Sequence, residues 1–163
     1  MKKIALILGL SIVCLGAQAA EDWHTVTTIT NPQDKTQQVV VSVDKNSIKD
    51  VKGAKGIRQA VTMWDFSYPR DNAGDASFPT FKSYKDVTQY NCSDKEIKQG
   101  GDVIPPKSAR LAGEILFAGN NGTGDKRDHT DALKNSKFAA PAPNTLGEKL
   151  MSDFICADAL SVK

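Results

Sequence analysis

Histidine, cysteine and tryptophan are scarce in this chain: two, three and two among 163 residues. Two histidines, His24 and His129, are too few for most metal centres built on imidazole. The patterns that carry common chemistry are also missing. There is no G-x-S-x-G elbow, no H-E-x-x-H, no phosphate-cradling glycine loop and no C-x-x-C. Ser47 and Ser83 stand near no recognisable base. These absences weigh against an enzyme. Beyond the first nineteen residues, no apolar run is long enough to span a hydrocarbon core roughly 30 Å thick.

The N-terminus has a pattern of its own. Lys2 and Lys3 precede thirteen mostly apolar residues, Ile4 to Gly16, and then Ala17-Gln18-Ala19. A charged start, a short apolar stretch and an A-x-A site make a cleavable secretory signal, residues 1–19. A membrane anchor is the rival reading, but thirteen apolar residues fall short of a span. Acylation of Cys14 is a second rival, and bulky Val13 before it disfavours lipidation. Removing residues 1–19 leaves a single domain, 20–163, of 144 residues with 19 basic and 19 acidic side chains. That balance argues against nucleic acid, which needs a basic field. Two cysteines remain, Cys92 and Cys156, in an oxidising compartment, and a disulfide between them is the expectation.

The first half of the domain reads as strands. Trp23 to Thr30 is rich in β-branched residues, and Gln37 to Asp44 follows the turn-forming NPQD. Asp50 to Gly56 reads as a flexible connection. Ile57 to Tyr68 sets Ala60, Trp64, Phe66 and Tyr68 on one face and Val61 and Met63 on the other, as in a strand buried on both sides. Further strands are expected from Phe81 to Cys92 and from Leu111 to Phe117. Gly119 to Lys137, rich in Gly, Asn, Asp and Lys, reads as a mobile loop. At the C-terminus, Thr145 and Glu148 form a capping box. Leu146, Leu150, Phe154 and Ala157 then share one helical face, with Cys156 on its flank. Strands followed by one amphipathic helix predict an α+β fold, an antiparallel sheet with the helix laid over one face.

Trp64, Phe66 and Tyr68 are candidates to line a ligand-binding groove, although at strand spacing such residues commonly form core. Asp125, Asp128 and Asp131 recur every third residue, without the alternate oxygens and central glycine of a calcium loop. A solvated acidic loop is the simpler reading. His24 and His129 are the available ligands for haem iron, and surface residues are the plainer assignment.

Several stretches together resemble the surface-adhesin protein E family of Gram-negative bacteria. They are Trp23 at the first strand, VVVSVDKNSI (39–48), TMWDFSY (62–68), KDVTQYNCSDKEI (85–97) and PAPNTLGEKLMSDFIC (141–156). The resemblance implies a six-stranded antiparallel sheet with a C-terminal helix held against it by a disulfide. It also implies dimerisation through the sheet, and binding of host extracellular-matrix protein or haem. Phe138 stands where the family usually has Trp, and residues 119–137 read as an insertion.

Two functions follow. The leading one is an exported, non-enzymatic binding protein, periplasmic or at the cell surface, presenting a sheet surface to a protein partner. The other is a periplasmic carrier of a small ligand, haem in the first instance. A homodimer is expected as well, because one helix can cover only one face of the strand carrying Val61 and Met63, leaving an apolar patch. Mass spectrometry of the exported protein is expected to place its N-terminus at Ala20; a lipid mass on Cys14 would restore the anchor.

Overall fold

The computed structural model describes residues 20–157; residues 1–19, the expected secretory signal with Cys14, lie outside the described residues. The polypeptide enters as β1 (Trp23–Thr30), β2 (Gln38–Asp50), β3 (Ile57–Asp71) and β4 (Thr80–Asn91). A small hairpin of β5 (Ile97–Gln99) and β6 (Asp102–Ile104) precedes β7 (Ser108–Phe117) and β8 (Lys126–Asp128). Six of these strands make one sheet in the order β1-β2-β3-β4-β7-β8, every neighbouring pair antiparallel. The order follows the chain apart from the excursion of the β5–β6 hairpin, so most pairings are between sequential strands.

β2 and β3 run well past the ends expected from composition. Their pairing is interrupted between Asp44 and Lys49, and the register resumes at Lys49–Gln59. There the Ser47 hydroxyl donates to the Asp44 carbonyl and accepts from the Val61 N–H, replacing ladder bonds that the irregularity removes. The β5–β6 hairpin was not anticipated. Gly100 and Gly101 form its two-residue turn, both with positive φ, 58° and 91°. That backbone suits tight hairpins and favours glycine.

Directly opposed residues of an antiparallel pair share a face. One face carries Val41, Val43, Ala60, Trp64, Tyr84 and Tyr90. The C-terminal helix lies over part of it, with Leu150, Met151, Ile155 and Cys156 buried against Val43, Ala60, Tyr90 and Cys92. The helix starts as expected. Thr145 caps it by accepting from the Glu148 N–H, and the Glu148 carboxylate accepts from the Asn144 N–H.

The buried stripe differs from the expected Leu146, Leu150, Phe154 and Ala157. After Leu146–Lys149 the turns widen to π-helix over Leu150–Ile155, closed by a bond from the Cys156 N–H to the Met151 carbonyl, 2.8 Å. With i→i+5 bonding, residues five apart align. Leu150 therefore stacks above Ile155 and Met151 above Cys156, while Phe154 is half-buried and Ala157 is exposed. The wider turn brings Cys156 round from the flank into the buried stripe. The Cys92–Cys156 disulfide is formed, with Cα atoms 5.4 Å apart and a sequence separation of 64. Arg58 donates to the Ile155 carbonyl at 2.6 Å, satisfying a backbone acceptor at the helix end.

The other face is covered by residues expected to be mobile. Residues 119–124 fold back as a 3₁₀ turn. The Asn120 amide donates to Asp65 and to the Phe66 carbonyl, and the Asn121 N–H donates to Asp65. Buried Ser83 donates to the Gly119 carbonyl and accepts from the Gly122 N–H. Gly122, at φ 68°, packs so close that an added Cβ would lie 3.1 Å from the Met63 methyl. Met63 is consequently buried. The chain's own polar loop therefore covers Met63, expected to be open to a second copy, while Val61 on the same face stays half-buried. The loop's Asn, Gly and Thr residues act as local hydrogen-bonding and tight-turn elements.

The disulfide closes a loop for which chain entropy predicts about 4 kcal/mol of stabilisation. Cys92→Ser is therefore expected to lower Tm by roughly 10 °C or more. Hydrogen exchange should show Leu150 to Ile155 losing protection before the sheet does, and an unchanged Tm would contradict this account.

Candidate functional site

The helix covers only the Ala60–Tyr90 end of its face. Beyond it, the same face carries an aromatic array. Trp64 on β3 is directly opposite Tyr84 on β4, and their rings stack with centroids 5.6 Å apart. Phe66 meets Tyr84 at 5.8 Å, Phe81 at 5.9 Å and Tyr68 at 6.0 Å. Arg70 places its guanidinium over both Phe66 and Tyr68, 5.6 and 5.8 Å from the ring centroids. Phe66 is buried, whereas Trp64, Tyr68, Phe81 and Tyr84 are half-buried. The three aromatics singled out from the sequence thus come together, with Phe81, Tyr84 and Arg70 in addition. Strand spacing alone cannot give those additions, because they depend on cross-strand register. The β3–β4 register breaks between Asp65 and Arg70. Pro69 lies within this break, where the lost ladder donor does no harm.

Between the aromatic array and the helix lies Asp86. Its neighbours in register are Thr62 on β3 and Glu114 on β7. Burial, and then the like charge of Glu114, push the Asp86 carboxyl up to about 7, opposed by the nearby Trp64 indole N–H. Asp86 Oδ1 and Trp64 Nε1 are two of three buried side-chain polar atoms among the described residues without a hydrogen-bond partner. Burial and these carboxylates also raise the Tyr84 hydroxyl. Glu114 in turn approaches His129, Oε1 to Nδ1 3.5 Å.

The remaining candidates scatter. His24 pairs with Asp22 at 3.2 Å on β1, while His129 follows β8. These are opposite edges of a six-stranded sheet, so five strand spacings, roughly 24 Å, separate them. They do not converge on one iron within a single copy. Asp128 accepts from the Thr130 N–H, Asp131 pairs with Lys134, and the Asp125 carbonyl accepts from the Ala118 N–H. Among the described residues no three His, Cys, Asp or Glu side chains group to hold a metal ion. Ser47 and Ser83 are engaged by backbone groups, as described above.

The family model for surface-adhesin protein E matches residues 23–102, from β1 to the start of β6. This segment belongs to the surface-adhesin protein E family. A solved structure agrees on the fold: crystal form II of Haemophilus influenzae protein E aligns with a TM-score of 0.51 at 11% identity, covering 80% of this chain and 87% of that one. No curated protein sequence matches the chain. No helix among the described residues is long and apolar enough to cross a membrane.

The raised Asp86 carboxyl sets a pH dependence. The folded state holds its proton up to about pH 7, whereas an unfolded Asp releases it near 4. Between those values the native state binds more protons, so stability falls as pH rises and the full penalty is present above 7. Asp86→Asn is expected to raise Tm by several degrees at pH 8, with the gain shrinking toward pH 4. A gain independent of pH would show that ionisation is not the cause.

Proposed function

We propose that this is an exported, non-enzymatic binding protein of surface-adhesin type. A protein partner, with host extracellular matrix the first candidate, docks on the aromatic face of Trp64, Phe66, Tyr68, Phe81 and Tyr84. The observation that carries this reading is the half-exposed aromatic array continuing past the helix, rimmed by Arg70. Aromatic residues and arginine are the types enriched at interface centres, where large rings bury much area at little entropic cost. Rigid strands hold them, so little ordering is needed on binding. Export is supported by the N-terminal pattern of residues 1–19 and by a disulfide of the kind that persists in oxidising compartments. A second copy pairing through the sheet would use this same face, since the Met63 face is already covered. A haem carrier, the second reading, would rest on His24 or His129 alone as axial ligand, since the two lie at opposite edges of the sheet.

The test is immobilised mature domain, 20–163, exposed to periplasmic extract and to purified host matrix proteins. Tyr68→Ala combined with Phe81→Ala is expected to weaken capture about tenfold or more, in line with the loss of interface anchors, while the melting curve stays cooperative. Full binding by the folded double variant would overturn the proposal.

A further inference from the structure

On the sheet face away from the helix, the β5–β6 hairpin, the turn at 51–56 and residues 134–138 enclose a groove of about 580 Å³. That is within the range of small-ligand sites, roughly 300–1,000 Å³. Beneath its largely polar lining Ile57, Ala54 and Ile104 form a buried apolar cluster, and half-buried Phe138 packs on it and faces the groove. At its rim Val103 is 57% exposed, one of two large hydrophobic residues so exposed among the described residues.

One cation is built into this groove. Arg110 on β7 lines it, and its Nε donates to the Gln89 amide oxygen at 2.9 Å. Its guanidinium lies over the Phe138 ring, 5.0 Å from the centroid. These two contacts fix the planar head, yet its terminal amino groups have no hydrogen-bond or ion-pair partner among the described residues. Nearby charges do not neutralise it. Lys134 is paired with Asp131, and Lys137 adds a second positive charge beside the single acid of the lining, Asp102. A guanidinium held flat with its terminal donors free presents the fork that binds a carboxylate through two parallel bonds.

We infer that this groove is a binding site for a small anionic amphiphile, an apolar chain or ring ending in a carboxylate. The carboxylate meets Arg110, and the apolar body lies against Val103 and Phe138, the apolar residues of the lining that remain accessible. Burial of that body supplies the driving force. The preorganised guanidinium sets the sign of the charge accepted.

Isothermal titration of the mature protein with decanoate, and separately with decyltrimethylammonium, tests this. Decanoate is expected to bind and the ammonium amphiphile of equal chain length is not. Arg110→Gln should weaken decanoate at least tenfold. Val103→Asp, at an exposed position that folding does not depend on, should weaken it too by placing a negative charge at the rim. The Tyr68→Ala and Phe81→Ala pair, on the opposite face, should leave it unchanged, which separates this site from the protein-binding surface. No binding of decanoate at millimolar concentration, or equal binding of both amphiphiles, would overturn the inference. So would undiminished affinity in Val103→Asp, which decides the matter even if Arg110→Gln fails to fold.

Discussion

Where the C-terminal helix sits determines what the rest of the molecule can present. Leu150, Met151, Ile155 and Cys156 fill the space over Val43, Ala60 and Tyr90, and the Cys92–Cys156 bond fixes that position. A helix of ten residues, Leu146–Ile155, is marginal on its own in water and depends on packing for its stability. Once seated, it can shield only one end of a face whose strands run to fifteen residues. The other end of that face carries Trp64, Phe66 and Tyr84, which only neighbouring aromatics and Arg70 cover, so that Trp64 and Tyr84 stay half-buried. The exposed aromatic surface is thus a consequence of a short helix on long strands, held in one place by a covalent bond.

That surface is energetically uneven. Asp86 is half-buried beside it, with one buried carboxylate oxygen that, like the nearby Trp64 indole nitrogen, has no hydrogen-bond partner among the described residues. Burying an ionised carboxylate without compensation is costly, and the carboxyl responds by keeping its proton to near neutrality. Glu114 in the adjacent register position adds to the shift. A core selected only for stability would place an apolar residue there.

Much of the architecture was legible because two periodicities are strong in the sequence. β-Branched and aromatic alternation marked β1, β3 and β4, and the capping residues Thr145 and Glu148 marked the start of the helix. The buried helical stripe departs from a period of 3.6 for a specific reason: the backbone adopts i→i+5 bonding, and no residue pattern announces a π turn. The β5–β6 hairpin has only a faint signal: Gly100-Gly101 between IKQ and DVI is a two-residue hairpin turn, but each flanking strand is only three residues long. The site was half legible. Trp64, Phe66 and Tyr68 followed from spacing along one strand, whereas Tyr84, Phe81 and Asp86 joined them through a register that only pairing reveals.

The segment 119–137, which includes β8, decides how the second face of the sheet is closed. Its composition suggests a solvated segment, since it contains few apolar side chains to bury. It is nevertheless held to the sheet by polar groups that meet specific partners: Asn120 on Asp65 and the Phe66 carbonyl, and Ser83 on the Gly119 carbonyl and the Gly122 N–H. Ser83 is fully buried, so those bonds form out of water, where an unmade partner is expensive and a made one is specific. Cover by hydrogen bonding leaves no need for a hydrophobic lid or a second subunit over Met63. It also lets the chain return through residues 134–138 to wall the groove around Arg110. The two faces of one sheet thereby differ in chemistry, aromatic beside the helix and apolar with a fixed guanidinium behind it, because one is closed by a helix and the other by a polar loop.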